Sequence, residues 1–177
     1  MTALSIGQLH LASALVALAS GAWVVWRRKG TATHRRIGWL YAGSMLVLNA
    51  TAFMIYRLFG TFGPFHVAAL ISLVTLIAGI LPAWRRRPHR TWIEHHYFFM
   101  SYSYLGLLAA SIAETAVRVP ALRGLVGGPT PRFWGAVVGA TIAVFIVGGP
   151  IIKRRFEPTV RPFRARAEAT GTLPRTG

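Results

Sequence analysis

His10 and His66 lie near one end of two apolar segments, and His34 and His96 near the opposite end of two others. An iron porphyrin slid between helices needs this arrangement: one neutral imidazole nitrogen from each side of the plate. Depth gives the assignment. His10 stands seventeen residues before Arg27, about 25 Å along a helix rising about 1.5 Å per residue. His66 opens its own apolar run at the same depth. His34 precedes the second run, and His95 and His96 open the fourth. The expected ligand pairs are His10 with His66 and His34 with His96, holding haem b at two depths.

Helical phase separates His95 from His96. At 100° per residue the face through His96 carries Met100, Ser103, Leu107, Ser111 and Glu114, whereas the face through His95 carries Phe99, Tyr102 and Gly106. The polar stripe belongs to His96, which is therefore the expected bundle-facing ring. Arg35, Arg36 and Arg118 are placed to meet porphyrin propionates. Glu114 has two readings: an i, i+4 ion pair with Arg118, or a carboxylate for proton transfer or quinone contact. Asn49, in the middle of the second run, is expected to bond across to another helix. Met100 reads as packing and Ser103 as a helix-packing hydroxyl.

The elements that must position these groups are helices in lipid. The 177 residues are 54% hydrophobic with a mean hydropathy of +0.48. Five apolar runs, near 5–26, 37–59, 65–84, 96–117 and 133–152, approach the roughly 20 residues that cross a bilayer. The predicted fold is all-α: an integral membrane bundle with a four-helix up-down core plus one further helix. Residues 1–156 form the transmembrane domain, and 157–177 a flexible, basic cytoplasmic tail. Sixteen of the twenty Lys and Arg residues fall in alternate connectors and the tail, and four in the others. The positive-inside rule then puts the N-terminus outside and the C-terminus inside a bacterial cytoplasmic membrane. The expected contacts are the lipid bilayer and a quinone or redox partner.

Composition removes other classes. The net charge of +16 sits between apolar runs and not along a polar helix face with interleaved aromatics, so nucleic acid is not expected. There is no Cys and no Asp, which removes thiolate sites and leaves paired-carboxylate and Ser-His-Asp chemistry unsupported.

The stretches "HRRIGWLY" at 34–41, "FGPFHVAALISL" at 62–73 and "HYFFMSYSYLGLLAASIAE" at 96–114, followed by Arg118 and Pro120, resemble the bacterial predicted membrane proteins grouped as domain of unknown function 2306. The resemblance covers roughly residues 5–150. It implies a compact multi-span protein with His34, His66, His96, Met100 and Glu114 at motif positions. The arrangement of histidines is also similar to that of four-helix b-type cytochromes, as an analogy of placement.

Three functions fit the sequence. The first is a b-type haem protein moving electrons. The second is a non-redox assembly factor or small carrier whose polar stripe holds helices together. The third is a zinc-dependent intramembrane hydrolase using the inner histidines, those at the His34 and His96 end.

Overall fold

The structure, a computed structural model, describes residues 5–55, 60–87, 91–118 and 131–169. These form five helices: α1 Ile6–Trp26, α2 Ala32–Ala52, α3 Pro64–Arg85, α4 Trp92–Arg118 and α5 Pro131–Ala169. Their starts follow from local chemistry. Ser5 and Gln8 exchange side chain-to-backbone bonds of 3.3 and 2.9 Å, a capping box for α1. Thr31 Oγ1 accepts the His34 N–H at 3.0 Å and starts α2. Pro64 occupies the first turn of α3, where its missing N–H costs nothing.

α1, α2, α3 and α4 close into a ring in which α1 packs on α2 and α4, and α3 on α2 and α4, so that α1/α3 and α2/α4 are the diagonals. α5 lies outside, against α4. The centre is filled by Ala17, Tyr41, Met45, Leu76 and Leu107. Large apolar side chains such as Leu15, Leu46, Ile71, Ile77, Ile142 and Ile146 point outward, the inside-out distribution a lipid solvent permits. α1, α3 and α5 are each long and apolar enough to cross a membrane. α2 and α4, at 21 and 27 residues, are also long enough for a core of about 30 Å. Their lower hydropathy comes largely from polar residues near their ends, Arg35 and Arg36 on α2 and Glu94, His95 and His96 on α4.

The structure departs from the sequence expectation at the tail. α5 does not end near 152 but continues to Ala169 through Pro150, Pro158 and Pro162. Large side chains at i, i+4 and i+7 hold the extension. Phe156 stacks on Phe98 at 4.6 Å, Val160 is fully buried, and Phe163 fills the space above Gly30. Arg164 adds an ion pair to Glu94, and Arg155 lies 5.2 Å over the Trp26 ring.

Candidate functional site

α2 and α4 face each other across the ring with a constant offset of 62 residues. The His34 and His96 rings meet at 6.4 Å between centroids, at 87° to one another. Two turns further, Tyr41 Oη and Ser103 Oγ are 2.9 Å apart and buried. One turn beyond that, Met45 and Leu107 join the apolar centre. A residue and its partner thus recur at 34/96, 41/103 and 45/107, as equal rises on two helices running the same way require.

The His96 ring is oriented by α3. Its Nδ1 lies 2.8 Å from the Gly79 carbonyl oxygen. A carbonyl only accepts, so the proton is on Nδ1, and the neutral ring keeps its lone pair on Nε2. Metal-binding histidines are held by this same kind of bond. Gly79 makes it reachable: a Cβ there would fall 2.7 Å from Met100 Sδ and 3.1 Å from the Met100 backbone nitrogen. His95 points the other way; it is exposed, bonded to the Thr91 carbonyl at 2.7 Å and stacked on Phe99. This is the phase the polar stripe requires.

His34 Nδ1 is buried and has no hydrogen-bond partner among the described residues. Arg35 and Arg36 are exposed, and Arg35 donates to the Gly30 carbonyl at 3.2 Å. The cation that acts through space on both rings is Lys29, which the sequence reading did not single out. It caps α1 by donating to the Val24 carbonyl and, at 2.7 Å, to that of Val25. Its position in a basic connector, "RRKG", gave no signal of this role.

The opposite end is built differently. The Thr51 hydroxyl donates to the carbonyls of Val47 or Leu48, at 2.8 and 3.0 Å. It must therefore accept from His10 Nδ1 at 3.0 Å, which leaves His10 Nε2 directed toward Glu114 Oε2 at 3.9 Å. Thr51 was not among the sequence candidates. His66 Nδ1 accepts the Gly63 N–H at 3.0 Å, completing the cap of α3, and its ring stacks on Phe62 at 4.9 Å. An Nδ1 that accepts puts the ring proton on Nε2. A neutral His66 in this geometry has no nitrogen lone pair left for iron.

Asn49 corrects an expectation. It is buried, but its amide donates to the Met45 carbonyl of its own helix at 2.8 Å and, among the described residues, makes no bond across to a neighbour. The Arg118 side chain, expected as a partner of Glu114, lies outside the described residues. Among the described residues there is no group of three or more His, Cys, Asp or Glu side chains able to hold a metal ion. Catalytic zinc takes three protein ligands, so the hydrolase reading finds no site there. A haem iron takes four ligands from the porphyrin and needs only two from the protein.

Residues 7–151 match the family described as "Predicted membrane protein (DUF2306)". No curated protein and no solved structure matches the chain. The chain belongs to this family of membrane proteins.

Proposed function

We propose that this membrane protein is a b-type haem protein that passes electrons in the bacterial cytoplasmic membrane, with a single haem between His34 and His96. The observation that carries the reading is the approach of these two rings to 6.4 Å across the diagonal of the bundle. It is joined by the Gly79 bond that bares His96 Nε2 and by the unpartnered Nδ1 of His34. The haem supplies one-electron chemistry when bound. Gly79 fixes the His96 tautomer, and Lys29, which acts on both rings, would offer a cation to propionates. The pair His10 and His66 suits iron less well, because His66 Nδ1 accepts the Gly63 N–H and a neutral ring then bares no lone pair. The basic asymmetry of the connectors supports a cytoplasmic position for the His34–His96 end. Purified protein should contain one haem per chain by extraction and stoichiometry. Full insertion with no haem, after growth in haem-replete medium, defeats the reading.

A second reading rests on the same bonds. His96–Gly79 and Tyr41–Ser103 join helices without help from a cofactor, as polar bonds between membrane helices do. A colourless protein in which His96→Ala lowers thermal stability while His34→Ala is silent would favour this structural role.

A further inference from the structure

α4 and α5 leave a groove of about 430 Å³ between them, lined by Tyr102, Phe145, Gly149, Pro150, Lys153 and Arg154. Two neighbouring glycines shape it. Gly148 admits the Leu105 side chain, since a Cβ there would collide with Leu105 Cδ1, and this brings the two helices together. At Gly149 a Cβ would meet only the Tyr102 hydroxyl, 4.0 Å away, so the missing side chain is the open space of the groove. Tyr102 stacks on Phe145 at 6.2 Å and 19°, making an aromatic wall.

The groove is apolar at one end and cationic at the other. Phe145 to Arg154 is nine residues, about 14 Å along the helix, enough to run from hydrocarbon into headgroups. Three cations stand together where the apolar run ends, with Arg164 about 14 Å further along the helix, and they are used differently. Arg155 covers Trp26, and Arg164 pairs with Glu94, both toward the bundle. Lys153 and Arg154 are exposed on the groove and make no ion pair among the described residues. The Tyr102 hydroxyl, on the same wall, makes no hydrogen bond among the described residues. Two cations and a hydroxyl above an aromatic, glycine-floored channel match an amphiphile with an anionic head and a hydrocarbon tail.

We propose that this groove is a binding site for one anionic phospholipid, its phosphate on Lys153 and Arg154 and an acyl chain along Tyr102, Phe145 and Gly149. A zwitterionic lipid brings the same chain but a positive group to the cationic end, so the site discriminates by headgroup. The site is independent of the histidine pair and stands whether or not haem binds.

The test is native mass spectrometry of the full-length protein in a neutral detergent. It is titrated separately with phosphatidylglycerol and with phosphatidylcholine of identical chains. One phosphatidylglycerol should be retained, and phosphatidylcholine should not compete. Lys153→Gln with Arg154→Gln should weaken phosphatidylglycerol about tenfold or more, while Arg132→Gln, exposed at the other end of α5, should leave binding unchanged. Gly149→Leu fills the channel and should weaken binding with every charge kept. If Gly149→Leu fails to fold, the double glutamine variant decides alone. Equal retention of the two lipids, phosphatidylglycerol binding unaffected by the double variant, or its displacement by a ubiquinone analogue or by inorganic phosphate alone would each overturn the proposal.

Discussion

His10 Nε2 and Glu114 Oε2 stand 3.9 Å apart, although the two residues belong to the first and fourth helices. Thr51 sets this geometry. Its only proton goes back to its own helix, so it can only accept from His10 Nδ1. Thr51→Val keeps the shape and removes that acceptor. The variant should lose about 1 kcal/mol of stability, the scale of a polar bond between membrane helices. Denaturant titration in detergent, read by circular dichroism, measures it. An unchanged midpoint would show that the ring does not depend on Thr51.

At Gly79, α3 lies directly against Met100 of α4. Gly79→Ala should destabilise the protein, because the new methyl meets Met100 at 2.7 Å to sulfur and 3.1 Å to backbone nitrogen. Adding Met100→Ala should restore part of the loss and not all of it. The flexible sulfur is removed, but the backbone contact stays. Thermal unfolding of the two variants and wild type distinguishes partial from complete rescue. Complete rescue would mean that the helices separate freely there.

Lys29 links stability to pH. Burial, followed by repulsion from Arg155, lowers its pKa from 10.5 to about 8. Below about 8 the ammonium is charged in both folded and unfolded chains. Between about 8 and 10.5 the unfolded chain holds a proton that the folded chain has released. Stability therefore rises with pH across that window relative to a chain without this group. Wild type should gain on Lys29→Met as pH is raised from 8 to 10.5, by thermal unfolding at each pH. A constant difference would place Lys29 in solvent.

Much of the frame was legible because lipid imposes simple rules. Apolar runs of crossing length marked the helices, and the His96 phase followed from 100° steps along one helix. What was missed depended on which helices are neighbours, or on choices a side chain makes locally. Glu114 was weighed against Arg118 on its own helix, but its contact with His10 exists only because α1 packs on α4. Asn49 was expected to reach across, yet a helical carbonyl one turn back satisfies it more cheaply. Few large apolar residues and several Pro and Gly point to a mobile tail, yet it is helical to Ala169. Phe156, Val160 and Phe163 carry a helical spacing that was present in the sequence all along. Its salt bridge to Glu94 joins residues 70 apart and could not be read from either segment alone.

The most direct test of the central claim is the reduced-minus-oxidised visible spectrum of purified wild type beside His34→Ala, His96→Ala, His95→Ala and His10→Ala, each at equal protein. The account predicts one b-type signal in wild type, lost in His34→Ala and in His96→Ala and kept in His95→Ala and in His10→Ala. His95→Ala should also unfold within about 0.5 kcal/mol of wild type, as an exposed substitution does. A spectrum without haem bands in wild type, or a signal that survives both His34→Ala and His96→Ala, would contradict it.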